Sequence, residues 1–234
     1  MRERLACQEA GGCAFVLVLG ASGSGKSSLV KARLLPDLML PGMIGRVSLV
    51  RHAVFRPSDR PDDLLGGLAS AIGAATALPE LVNLRYTPKR FAELLRDAPK
   101  TAIVPIEHVL AEAAKAQNLS ELAEARLILI IDQLEELFTL NELDTADCDS
   151  FVEAMGTLAR SGIVWVVATM RSDFYDRLQL APSLSRLASD ESRYSLAPPD
   201  TAELGQIIRL PAREAGQWRV SRSSCSLFRL SICH

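Results

Sequence analysis

The stretch Gly20-Ala21-Ser22-Gly23-Ser24-Gly25-Lys26-Ser27 fits the pattern G-x-x-x-x-G-K-[ST], and its reading decides the fold. Glycines there let the backbone take positive φ and curl tightly, so that successive N–H groups point inward at a phosphate. Lys26 adds a mobile cation, and the Ser27 hydroxyl offers Mg2+ an oxygen ligand. Ser28 and then Leu29 to Leu35 read as a helix whose N-terminus contributes its own partial positive charge. Upstream, Ala14-Phe-Val-Leu-Val-Leu19 reads as a buried strand. Strand, glycine-rich bend and helix, in that order, are the context a phosphate-binding loop requires. The pattern arises by accident in roughly 1% of chains this long. A plain glycine-rich turn carrying an exposed lysine is the competing reading.

Working outward, two more apolar runs end in residues with chemical potential. Arg126-Leu-Ile-Leu-Ile-Ile131 leads into Asp132, and Ile163-Val-Trp-Val-Val-Ala-Thr169 leads into Met170-Arg171. Unbroken Val- and Ile-rich runs of this length suit strands covered on both faces, as in a parallel sheet. Arg46 to Phe55 supplies another candidate strand, and Arg193 to Leu196 a short fifth. Helical patterns lie between them. Pro61 with Asp62 and Asp63 reads as a first helical turn before Leu64, Leu65, Leu68 and Ile72. Thr87-Pro88 gives a cap-then-proline signal, Pro105 precedes another apolar stripe, and Phe151 to Ala159 makes a further one. Asp200 and Glu203 read as a capping pair before Leu204, Ile207 and Ile208. The alternation predicts a three-layer α/β domain around a mostly parallel five-stranded sheet, with a helical insertion after the second strand.

The expected organisation is a lead-in over 1–10, the α/β domain over 11–198, the start of a further helical segment over 199–217, and an atypical tail over 218–234. That tail packs five serines, three arginines and two cysteines into its 17 positions and holds no acidic residue. Truncation or a departure from the natural frame would explain it; so would a genuine flexible tail.

Composition sets the outer bounds. The 234 residues are 48% hydrophobic and 23% charged, with a net charge of −2, which excludes global disorder and supports a real core. Near-neutrality also lacks the footprint of a dedicated nucleic-acid binder, so no direct nucleic-acid binding is expected. No apolar run approaches the roughly 18 residues of a membrane span. Arg2 and Arg4 before Ala14 to Leu19 imitate a secretory signal, but the run flows directly into the glycine-rich loop. Five cysteines without a C-x-x-C pair do not suggest a disulfide framework, so the expected compartment is cytoplasmic.

Beyond the loop, Asp132 closes its strand where a carboxylate would hold the Mg2+ shell. Gln133 follows it; an amide can orient a water but cannot take its proton. Glu135 and Glu136 come next and are candidate catalytic groups on the terminal-phosphate side, the alternative being a solvated helix start. Arg171 follows its strand at the edge where a parallel sheet presents its ligand. It either reports on the terminal phosphate or pairs with Asp173 or Asp176.

With these residues placed, the chain resembles the STAND branch of P-loop ATPases, in particular the bacterial class that precedes WD40-type repeats. The resemblance rests on Leu127-Ile-Leu-Ile-Ile-Asp-Gln-Leu-Glu-Glu-Leu-Phe138, Val166-Val-Ala-Thr-Met-Arg-Ser-Asp-Phe-Tyr-Asp-Arg-Leu178 and Phe55-Arg-Pro-Ser-Asp-Arg-Pro-Asp-Asp-Leu-Leu65. Ile207 to Gly216 resembles the start of the family's helical or winged-helix segment, which makes Pro211 the adenine-facing proline; the family's glycine two residues earlier is Arg209 here. The resemblance implies an ATP/ADP-controlled switch that self-associates in the ATP state; the residues add Mg2+ at Ser27 and Asp132 and, through Gln133, slow hydrolysis. The resemblance also implies effector and repeat domains in a longer parent protein as partners. A P-loop small-molecule kinase, another constitutive ATPase or an inert fragment are the alternative readings.

Overall fold

Period-2 alternation along the apolar runs sends successive side chains to opposite faces of one sheet, and each face is covered by helices. The computed structural model describes residues 1–119, 124–140 and 144–197. The five strands are β1 (Phe15–Gly20), β2 (Val47–Phe55), β3 (Glu124–Ile131), β4 (Val164–Arg171) and β5 (Arg193–Ser195). They pair in the order β2-β3-β4-β1-β5, and every pairing is parallel. Phe15, Leu17, Leu127, Leu129, Val164 and Val166 point to one side, into a core completed by α4 (Leu64–Ile72), α5 (Pro88–Asp97), α6 (Ile103–Ala116) and α7 (Thr145–Ala159). Val16, Val18, Ile128, Ile130, Trp165 and Val167 point to the other side. There they meet Leu5 of α1 (Arg2–Ala10) and Val30, Leu34 and Leu38 from the helix after the loop. The α/β sandwich is therefore as expected, including helices α4 to α6 between the second and third strands.

The helix after the loop departs from a plain α-helix. It runs as α2 (Lys26–Ser28), a π-helical stretch (Leu29–Leu34) and α3 (Leu35–Leu38). Pro36 explains the widening: it lacks an N–H, and in α geometry its ring would press on the carbonyl of Ala32. The turn at Pro61 also differs from expectation. Helix α4 begins at Leu64, because Asp63 leaves helical geometry and its side chain accepts from the N–H of Gly66 at 2.9 Å. Thr87 caps α5 as expected, accepting from the N–H of Arg90. A short helix, α8 (Pro182–Leu187), precedes β5. Among the described residues no helix is long and apolar enough to cross a membrane. The expected features at Asp200, Glu203, Pro211 and the tail lie outside the described residues.

Helix α1 is tied to the sheet. Leu5 is 1% exposed, Glu9 pairs with Arg126 of β3 at 3.0 Å, and Arg4 donates to the carbonyls of Asp190 and Glu191. Leu5→Ala is expected to lower the unfolding free energy by about 2–5 kcal/mol, the range for emptying a buried leucine site. Urea denaturation checks this; a loss under about 1 kcal/mol would mean that α1 is dispensable to the core.

Candidate functional site

Strand order builds the site. β4 lies between β1 and β3, so at their C-terminal ends Gly20, Thr169 and Asp132 stand on three adjacent strands. The loop leaves Gly20, and α2 carries Ser27 back across β4 toward Asp132. Gly25 holds φ at 82°, a left-handed turn that glycine adopts without strain. At Gly20 a Cβ would meet Ser24 Oγ at 2.7 Å and the Leu196 carbonyl at 3.3 Å, so a side chain there would force Ser24 and the Leu196 backbone to shift.

Lys26 is 8% exposed, and its ammonium donates to the carbonyls of Gly20 (2.9 Å) and Ala21 (2.8 Å). Burial lowers its pKa, against a raising influence from Glu135. The loop and helix residues Ser22, Gly23, Gly25, Lys26, Ser27 and Ser28 form one wall of an open cleft of about 520 Å3. Gln133, Glu135, Glu136, Thr139, Arg171 and Phe174 also line it. Ser24 does not line the cleft; its hydroxyl is buried and without a partner.

Asp132 is the hub. Its Oδ1 accepts from Ser27 Oγ at 2.6 Å and from Thr169 Oγ1 at 2.7 Å, while Oδ2 takes the Lys31 ammonium at 2.6 Å. Burial alone pushes its pKa up, but the bonds from Lys31, Ser27 and Thr169 outweigh that and hold it below the ordinary carboxylate value. Thr169 also accepts the N–H of Gln133 at 3.0 Å. Gln133 itself sits at φ 60°, a left-handed turn uncommon for a residue with a side chain. That turn ends β3 and starts a short 3-10 helix, Leu134–Phe138.

Both glutamates of that helix are buried, Glu135 6% and Glu136 8% exposed, so the solvated-helix reading is corrected. They face different partners. Glu135 accepts the backbone N–H of Arg171 at 3.2 Å and lies in the field of Lys26; burial raises its pKa. Glu136 accepts from Arg56 Nε at 2.7 Å and from the N–H of Ser58 at 2.9 Å, which fixes the turn after β2. The Arg171 guanidinium pairs with Asp173, at 3.1 Å through Nε, and stacks over Phe174, 5.3 Å from the ring centroid. Its Asp173 pairing is one of the two arrangements that the sequence allows.

Hard oxygen donors and a carboxylate already facing an ammonium suit a cation at Ser27 and Asp132. Among the described residues no three His, Cys, Asp or Glu side chains gather into a metal cage. Three residues of the site carried no flag in the sequence: Lys31, Thr169 and Arg56. Lys31 had a readable signal, since it lies four residues after Ser27 on one helix face.

A parallel five-stranded sheet with this loop at its edge and an acidic strand end beside it defines a P-loop NTPase domain. The sequence matches the family Novel STAND NTPase 1 over residues 1–225, and the chain belongs to that family. None of the curated proteins matches it in sequence. Among solved structures, the fold is similar to the ORC2 protein of Aeropyrum pernix in its ADPNP–ADP complexes, at 14% identity and TM-score 0.54, covering 91% of this chain and 50% of that one. It is also similar to a Walker-type ATPase of Pyrococcus abyssi, at 14% identity and TM-score 0.51, covering 94% and 59%. The ORC1 protein of Aeropyrum pernix in complex with DNA shares the fold at 16% identity and TM-score 0.50, covering 91% and 48%. The chain thus spans about half the length of the solved proteins it matches.

Burial of Glu135 has a measurable sign. An acid whose pKa is raised on folding weakens the folded state once pH passes its unfolded value. Glu135→Gln removes that charge and keeps an oxygen for the Arg171 N–H, so the variant is expected to melt above the parent at pH 7. The gap should close as pH falls through the carboxylate range. A variant melting below the parent at pH 7 would contradict a desolvated carboxylate at this position.

Proposed function

We propose that this chain is the nucleotide-controlled switch core of a signal-transduction ATPase: it binds ATP and ADP with Mg2+ in the cleft and hydrolyses ATP slowly. The observation that carries this reading is the bond between Ser27 and Asp132, 2.6 Å long, beside the buried ammonium of Lys26. The loop N–H groups and Lys26 would take the phosphates, with Lys26 exchanging its two loop carbonyls for phosphate oxygens. Ser27 and Asp132 would hold Mg2+, which when bound neutralises phosphate charge.

The amide at position 133, directly after Asp132, supports slow turnover. Gln133 can hold a water but has no basic atom for its proton. Glu136 is committed to Arg56 and Ser58, which makes it a positioning residue in this reading. Glu135 is left as the proton acceptor; it lines the cleft and accepts the Arg171 N–H at 3.2 Å, and burial raises its pKa. Arg171, paired with Asp173 at the cleft wall, would turn to the terminal phosphate when one is present. The adenine contact at Pro211, self-association in the ATP form, and effector or repeat domains in a longer parent protein complete the proposal. All three come from the family resemblance.

Titration with a fluorescent ATP analogue tests the reading. Saturable binding is expected in the parent, and Lys26→Ala should weaken it roughly ten- to over a hundredfold, since a charged hydrogen bond contributes about 1.5–3 kcal/mol. Equal affinity in the two proteins would refute the role given to Lys26.

A further inference from the structure

Asp132 has more partners than a metal-binding carboxylate needs. Ser27 and Thr169 occupy Oδ1, at 2.6 and 2.7 Å, and Lys31 occupies Oδ2 at 2.6 Å. The two lysines of this helix differ sharply. Lys26 is buried against the loop, whereas the Lys31 side chain is 44% exposed and reaches Asp132, itself 7% exposed, from the solvent side. The Lys31 backbone lies in the π-helical stretch, four residues after Ser27, so both side chains descend on one carboxylate from one helix face.

An ammonium is a compact point charge with three donors on a flexible stem. In this position it does electrostatically what a divalent ion would do, which is to neutralise Asp132 and hold one of its oxygens. A second cation at the same carboxylate meets an oxygen that already accepts from an ammonium, and the like charge of that ammonium. We propose that Lys31 is an internal cation that competes with the divalent metal for Asp132, so that metal-assisted nucleotide binding requires Lys31 to release Oδ2 and swing into solvent. The partly exposed stem permits that movement without disturbing the core. Lys31 thus sets the Mg2+ concentration at which the site becomes metal-loaded. A binding-competent form that is only partly populated lowers apparent affinity by that fraction, and removing the competitor recovers it.

The proposal rests on the nucleotide reading above, and the test separates the two. Affinity for a fluorescent ADP analogue is measured from EDTA through rising Mg2+ in the parent, Lys31→Met, Lys31→Gln and Lys31→Arg. In the Met and Gln variants the Mg2+ concentration giving half of the metal-dependent gain is expected to fall about three- to tenfold, a range kept modest because the pair is partly solvated. Lys31→Arg keeps the charge and should stay near the parent. An unchanged or higher midpoint in both neutral variants would overturn the competition while leaving nucleotide binding intact. A parent that binds no analogue at any Mg2+ level would instead sink the nucleotide reading, and the Lys31 proposal with it.

Discussion

The carboxylate of Asp132 is the constraint on which the rest of this site depends. Three elements that are far apart in sequence reach it: the loop helix through Ser27 and Lys31, β4 through Thr169, and β3 through its own backbone. Its N–H is in turn accepted by the Phe55 carbonyl at the end of β2 at 2.9 Å, so a fourth element joins the junction. A buried carboxylate without such partners would be costly or protonated. Here the hydrogen bonds keep it ionised and lock the strand ends in register at the edge where the loop opens.

Around that hub the protein places charge where a core would exclude it. Lys26, Glu135 and Glu136 are all nearly buried at the ends of apolar strands, although most of the sheet is aliphatic. Each has a distinct arrangement: loop carbonyls for Lys26, a backbone N–H for Glu135, and a guanidinium with a backbone N–H for Glu136. Gln133 adds a left-handed turn between them. Concentrating unfavourable burial and backbone strain in one cleft is typical of a place kept for chemistry. The aliphatic faces on both sides of the sheet carry the stability that tolerates it.

Much of the fold was legible because buried parallel strands announce themselves as unbroken Val- and Ile-rich runs. The runs ending at Leu19, Ile131 and Thr169 all became strands of the sheet. The glycine loop was legible for a similar reason, since few backbones other than a phosphate cradle need that spacing. What escaped was anything decided by register or by partners. Thr169 looks like an ordinary strand residue until β4 is known to lie against β3, and the spacing of Lys31 from Ser27 puts it on the right helix face without saying that it reaches Asp132. The burial of Glu135 and Glu136 was hidden too, because acidic residues at a helix start are favoured whether buried or not. Helix α4 began later than Pro61 suggested because Asp63 offered its carboxylate as the cap. The π-helical stretch arises from Pro36 acting on the preceding turn, an effect visible only once the helix is known to continue through it.

The central claim is that Ser27 and Asp132 together form the place where a divalent ion is held against nucleotide phosphates. Electron paramagnetic resonance of Mn2+, added with ADP, addresses that place most directly. The account predicts about one immobilised Mn2+ per chain when ADP is present, and its loss in Asp132→Asn, whose amide replaces the charged oxygen. Equal Mn2+ immobilisation by the parent and by Asp132→Asn would contradict it.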